Sequence, residues 1–155
     1  FGFKHTLVAE CLHGIGGVLK MLGQFPEAVE AFTQEVTILR MAYGHVHLDV
    51  ARGLSDIGLI LEMDGRQQEA LDHYEECRRV RKRLLGEDSL EVAATLFSIA
   101  KLREALGDTL EALKDAKESL RVYSMVAGDF DSKTVLRMKL VDRLQAAMDN
   151  GATPE

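Results

Sequence analysis

The strongest constraint in this sequence is an internal repeat of fixed length. Gly23, Gly65 and Gly107 are evenly spaced, and each is followed four residues later by Glu-Ala. A second glycine set closes each unit at the same interval, at Gly44, Gly86 and Gly128. A fixed period of this kind is typical of chains that stack copies of one supersecondary unit.

Each unit has the pattern of a helical hairpin. Val50, Leu54, Ile57 and Leu61 follow the three-and-four spacing of one buried helix face. Gly65 then ends that helix, because glycine takes a positive φ at little cost. The same pattern predicts helices over residues 5–22, 26–43, 48–64, 67–85, 90–106, 109–126 and 132–149.

Helix starts are marked as well. Ser89 and Asp131 are good N-cap residues, and His47 holds the equivalent position in the second unit. Pro26 suits the first turn of a second helix. These signals support the boundaries given by the glycines.

Small residues recur at positions that should let the two helices of a hairpin approach closely. When the three repeats are aligned, the first helices share one column of small residues, at Gly16, Gly58 and Ala100. The second helices share another, at Ala28, Ala70 and Ala112. We expect the two columns to face each other. Phe32 and Tyr74 would fill the gap toward the next unit, whereas the third unit has only Ala116 there. Its contacts should be thinner or differently filled.

The last helix should end the stack. Asp142 replaces the small residue of the column, and a charged side chain there would block a close partner helix. The prediction is an all-α, right-handed α-solenoid of three hairpins plus a C-terminal capping helix. It forms one domain over 1–150, with repeats at about 5–46, 47–88 and 89–130, the cap at 131–150 and a tail at 151–155.

Composition narrows the classes of partner. The net charge of −6 disfavours a surface dedicated to nucleic acid, and no apolar run reaches the roughly 20 residues of a membrane span. Cys11 and Cys77 are too few for a disulfide framework, which favours a reduced intracellular setting, either cytoplasm or an organelle. The first residues lack the long apolar stretch of a signal peptide. The chain begins at Phe1 rather than at an initiator Met, which indicates a fragment or a processed protein.

The columns Leu-x-x-Ile-Gly/Ala and Gly-x-x-x-Glu-Ala, with the closing glycine, resemble the tetratricopeptide repeats of kinesin light chains. The links over 43–51 and 85–93 are similar to that subfamily's links between hairpins. The resemblance implies a superhelix whose first helices line a concave groove for a protein or peptide partner, and it implies no catalysis and no cofactor. Carried over residue by residue, it places these side chains on the groove: Glu10, His13, Lys20, Arg52, Ser55, Leu59, Glu62, Met63, Phe97, Lys101 and Glu104.

An alternative role is a structural or assembly subunit that docks through its convex face and its termini. A basic cluster near the end of the fourth helix would form its docking patch, at Arg78, Arg79, Arg81, Lys82 and Arg83. The apolar Phe1 and Phe3 favour the same role. Self-association through apolar end faces of the stack is also open.

Other motifs have simpler explanations. The glycines of residues 14–17 lie inside a helix pattern rather than after a strand, so they do not indicate a phosphate loop. His45 and His47 have only Asp49 near them in sequence, too few ligands for a metal site. Cys77 stands where a small second-helix residue is expected, which predicts a buried, inert thiol. No acid/base pair or activated nucleophile is apparent.

Overall fold

The computed structural model describes residues 3–151, with side chains described from residue 5 onward. This range contains seven helices and no strand, and each predicted helix boundary lies within two residues of the observed one. The predicted all-α repeat fold is confirmed. The helices are α1 (Phe3–Met21), α2 (Phe25–Tyr43), α3 (Leu48–Met63), α4 (Gln67–Leu85), α5 (Leu90–Ala105), α6 (Thr109–Ala127) and α7 (Ser132–Gly151).

The residues that were predicted to begin or end helices do so in the structure. Gly65 has φ +79°, and the N–H of Arg66 donates to the carbonyl of Leu61 at 2.8 Å, which closes the end of α3. At the start of α5, the Ser89 hydroxyl accepts from the N–H of Val92 at 3.1 Å. Asp131 caps α7 in the same way through the N–H of Lys133, at 2.9 Å. Local sequence therefore sets where the helices begin and end.

The helices divide into two compact units. Unit 1 ends at Leu84 and contains two hairpins, α1–α2 and α3–α4. Unit 2 begins at Leu85 and contains the hairpin α5–α6 followed by α7. Within the described part of the chain, no helix is both long and apolar enough to cross a membrane.

Aromatic rings fill the glycine notches of unit 1. A Cβ added at Gly16 would lie 2.6 Å from the Phe32 ring, and one added at Gly58 would lie 3.0 Å from the Tyr74 ring. The rings thus lie against the first helix of their own hairpin. We had expected them in the gap toward the next repeat. The nearest side chain to each glycine is this ring and not the alanine of the facing column, because the flat ring needs the space that a Cβ would occupy.

The seam between the two hairpins of unit 1 uses another glycine. A Cβ at Gly53 of α3 would lie 2.5 Å from Cγ2 of Val36 of α2. Val36 and the α3 residues Val50 and Ile57 are buried. The contact between α2 and α3 therefore depends on the absence of a side chain at Gly53.

Unit 2 fills the same hairpin position differently, as predicted for the third repeat. Ala100 and Ala116 replace the glycine and the aromatic ring, and both are buried in one cluster with Ala112, Leu140 and Leu144. Phe97 packs partly buried against this cluster. The apolar side chains of α7 thus pack against the hairpin α5–α6. Asp142 is exposed, as expected for a capping helix.

A matched pair of glycine substitutions tests the seam. We expect Gly53→Ala to lower the free energy of unfolding by about 1–3 kcal/mol, because the new methyl overpacks Val36. Gly14→Ala adds a methyl in open space within α1 and should be stabilising by up to about 1 kcal/mol. Urea unfolding followed by circular dichroism measures both, and an equal effect of the two changes would contradict this packing.

Candidate functional site

One buried carboxylate breaks the repeat pattern. Cys77 of α4 donates its thiol to the carbonyl of Ala51 at 3.2 Å, and Ser119 of α6, one repeat later, donates to the carbonyl of Ala93. The buried thiol predicted for Cys77 is confirmed. The equivalent position in the first hairpin is Glu35, whose side chain is 1% exposed. An ionised carboxylate cannot donate such a hydrogen bond, so Glu35 replaces a structural link with a buried charge.

Glu35 gathers polar side chains from the first helices of both hairpins. Its Oε2 lies 3.2 Å from Nδ1 of His13 on α1, and its Oε1 lies 3.6 Å from Nη2 of Arg52 on α3. The same His13 nitrogen is 3.9 Å from Oδ2 of Asp56. Arg52 also reaches Asp49 at 3.3 Å. Side chains far apart in sequence therefore form one charged cluster on unit 1.

Burial raises the pKa values of two carboxyl groups in this cluster. Desolvation raises the pKa of Glu35 above its ordinary value, and the charges of His13 and Arg52 oppose this rise only in part. Desolvation likewise raises the pKa of Asp56, against the attraction of His13, Arg52, Lys20 and Arg81. Ionisation of either carboxyl group therefore carries a desolvation cost in the folded protein.

A pocket opens above the cluster. It has a volume of about 280 Å³ and lies between α1, α2 and α3. Its walls combine apolar, aromatic and charged groups, from Thr6, Ala9, Glu10, His13, Leu39, Tyr43, Asp49 and Arg52. Glu10, His13 and Arg52 were singled out from the sequence, and the structure brings these three together.

The other groove residues predicted for unit 1 lie on α1 and α3. Leu59 and Met63 are 39% and 51% exposed, so they offer apolar contact area to a partner. Lys20 and Ser55 are half-buried, and Glu62 is also half-buried. None of these five residues lines the pocket.

The groove residues predicted for unit 2 are partly engaged already. Both carboxylate oxygens of Glu104 accept from Arg143 of α7, each at 2.7 Å. Phe97 lies under the guanidinium of Arg137, 4.5 Å from the ring centroid, with Lys101 Nζ at 5.8 Å. Lys101 itself is exposed. A partner that used Glu104 would have to compete with a bidentate ion pair.

The basic residues of α4 do not share one environment. Arg79, Lys82 and Arg83 are exposed, whereas Arg78 is half-buried and lies 3.7 Å from Glu75. Arg81 is half-buried and acts electrostatically on Asp56, which places its charge near α3. The predicted docking patch therefore includes residues that already interact within unit 1.

The remaining candidates have structural roles. The His47 ring caps α3 by accepting from the N–H of Asp49 at 3.2 Å, and it stacks on Tyr43. Residues 14–17 lie inside α1. Among the described residues, no three His, Cys, Asp or Glu side chains are grouped to hold a metal ion. Phe1 and the Phe3 side chain lie outside the described residues.

Sequence reasoning missed several members of the site. Asp49, Asp56 and Tyr43 did not appear in the predicted groove, and neither did the central Glu35. The sequence does carry a signal for Glu35, because the equivalent positions in the other two repeats hold the small residues Cys77 and Ser119. No comparable signal marks Tyr43, which lies at the end of α2.

Hairpins of this form, repeated at one fixed interval and carrying a mixed surface on their first helices, define a helical-repeat scaffold. The tetratricopeptide repeat family profile matches residues 7–83 and 49–125. The chain belongs to the tetratricopeptide repeat family, whose fold is a non-catalytic scaffold for protein interaction. No curated protein sequence matches the chain significantly.

Solved structures of similar fold include kinesin light chain-like proteins. A single-substitution variant of a kinesin light chain-like protein of Podosopora anserina, with nearly identical TPR-like repeats, has TM-score 0.82 and 18% identity, over 97% of this chain and 70% of that one. BtubC (BKLC) from P. vanneervenii has TM-score 0.69 and 20% identity, over 97% and 68%. The Sgt2 TPR domain from Aspergillus fumigatus has TM-score 0.66 and 13% identity, over 95% and 85%. At these identities the likeness concerns the fold.

The raised pKa of Glu35 gives a pH-dependent prediction. The folded protein holds the Glu35 proton more tightly than the unfolded chain does, so this group stabilises the fold less as pH rises above its ordinary pKa of 4.5. Glu35→Gln cannot ionise. We therefore expect the stability of this variant relative to wild type to increase between about pH 4 and pH 7.

Urea unfolding of both proteins across this range measures the difference. The comparison cancels the carboxyl groups that do not interact with Glu35, such as Glu104, whose pKa the Arg143 guanidinium lowers. A difference that stays constant or decreases with pH would show that burial of Glu35 is not costly in the folded protein.

Proposed function

We propose that this protein is a non-catalytic interaction module that holds a segment of a protein partner on the exposed side chains of its first helices. The observation that carries the proposal is the pocket of unit 1, where three helices bring Glu10, His13 and Arg52 together around a buried carboxylate. A mixed polar and apolar concavity of this kind suits an extended peptide or an amphipathic helix.

Two exposed apolar residues further along α3 support the same role. Leu59 and Met63 of α3 are exposed, although neighbouring α3 residues such as Ile57 and Ile60 are buried. An apolar partner side chain that covers them would be removed from water, which favours binding by about 25 cal/mol per Å² of area. The pocket would supply specificity and these two side chains would supply affinity.

Paired substitutions outside the pocket test this role. The partner is first recovered by affinity purification from the native source, and its binding constant is then measured by calorimetry. We expect Leu59→Ser with Met63→Ser to weaken binding at least tenfold, because both apolar side chains are exposed on α3.

The matched control is Arg79→Glu with Arg83→Glu, which changes two exposed residues of α4. This control should leave the affinity within about twofold. If the control weakened binding and the first-helix pair did not, the groove assignment would be wrong and docking through α4 would replace it.

A second candidate function is assembly, with docking through the other side of α1. Val8, Ile15 and Val18 are 49%, 52% and 57% exposed. The residues one repeat later, Val50, Ile57 and Ile60, are buried in unit 1, where α2 packs on α3. Cys11, expected at a helix packing surface, is exposed on this same side. These observations favour a subunit whose α1 receives a helix of an assembly partner.

A further inference from the structure

We infer that the pocket of unit 1 receives a basic side chain, arginine or lysine, from the partner segment. This inference rests on the proposed function and states which chemistry the partner must present. The charges around the pocket, its apolar walls and its size support this assignment.

The charges around the pocket are unbalanced. Two carboxylates line it, on Glu10 and Asp49, and those of Glu35 and Asp56 both lie near Nδ1 of the lining residue His13. Arg52 is the cation in its walls. Lys20 and Arg81 act on Asp56 from outside the pocket. The carboxylates of Glu10, Asp49 and Glu35 outnumber the basic groups of Arg52 and His13, so the pocket attracts a cation and repels an acidic segment.

The guanidinium of Arg52 already has two acidic neighbours. It lies 3.3 Å from Asp49 and 3.6 Å from Glu35, so two carboxylates offset its charge. Glu10, by contrast, is exposed and makes no ion pair within the described residues. Among the described walls of the pocket, Glu10 is therefore an anionic acceptor whose charge is not offset by an ion pair.

The remaining walls suit the stem of a long basic side chain. Ala9 and Leu39 are apolar and buried, and they can cover the methylene groups of arginine or lysine. One face of the Tyr43 ring is stacked on His47, so only the other face is left to attract a cation. A volume of about 280 Å³ lies at the lower edge of ligand-pocket sizes, which fits one side chain rather than a folded element.

The placement of Glu35 strengthens the inference. The other repeats keep a thiol or a hydroxyl in this column, with a hydrogen bond to the first helix. Burial raises the pKa of the Glu35 carboxyl group, and this buried group stabilises the hairpin less than the small residue would. A cation bound in the pocket would offset this cost, because it adds a favourable charge close to Glu35.

A pair of isosteric peptides tests the inference on the full chain. The probe is a nine-residue glycine- and serine-rich peptide with one central arginine, and the control carries citrulline, which keeps the shape and removes the charge. Titrations are followed by ¹H–¹⁵N NMR. We expect saturable amide shifts at Glu10, His13, Tyr43, Asp49 and Arg52 with the arginine peptide, and at least tenfold weaker binding of the citrulline peptide. The arginine peptide should also bind less tightly at high salt.

Matched variants tie the binding to the pocket. Glu10→Gln with Asp49→Asn should weaken the arginine peptide at least tenfold. Glu30→Gln with Asp72→Asn removes the same two kinds of charge from exposed positions of unit 1, each of which is hydrogen bonded to a glutamine, and should leave binding unchanged.

Failure of the inference is distinct from failure of the proposed function. Equal binding of the two peptides, shifts located elsewhere, or no shifts at all would overturn the basic side chain. The proposed function would still stand if the native partner lost affinity on Leu59→Ser with Met63→Ser. If the partner bound the pocket through acidic residues, the charge assignment would be reversed and the inference would be wrong.

Discussion

The structure of unit 1 depends on one steric constraint, the absence of a side chain where an aromatic ring or a valine methyl must lie. Gly16 and Gly58 accommodate the rings of Phe32 and Tyr74, and Gly53 accommodates Val36. These contacts fix how α1, α2 and α3 lie against one another, because close-packed interiors do not absorb an extra methyl without displacement. The relative position of α1 and α3 then determines which of their exposed side chains meet.

The candidate site follows from this geometry. His13 and Arg52 belong to different hairpins, yet both approach the carboxylate of Glu35 on the helix between them. The hairpin scaffold tolerates the buried charge because its apolar core is supplied by other columns, such as Ala28, Ala31 and Val36 on α2 itself. A repeat fold can thus carry a distinct polar site in one repeat while the other repeats keep small hydrogen-bonding residues in the same column.

The sequence predicts the helices well because local rules set their ends. Glycines with positive φ and N-caps such as Ser89 and Asp131 act within a few residues of the helix boundary. The site was only partly predictable. Periodicity separates exposed from buried faces, and the resemblance to the repeat family indicated Glu10, His13 and Arg52, but neither shows that a charged residue in the buried stripe, Glu35, contacts His13 and Arg52. Pairs such as Glu104 with Arg143 form between helices distant in sequence, and their side-chain directions follow from packing rather than from spacing.

A double-mutant cycle on Gly16 and Phe32 tests the central claim most directly. If the glycine is required because the ring occupies its Cβ position, Gly16→Ala should destabilise the wild-type chain but be neutral or stabilising when Phe32 is replaced by alanine. The predicted coupling free energy is about 1–3 kcal/mol, within the range for residues in direct contact. The same cost of Gly16→Ala in both backgrounds would contradict the account, because the ring would then have no part in excluding a side chain from that position.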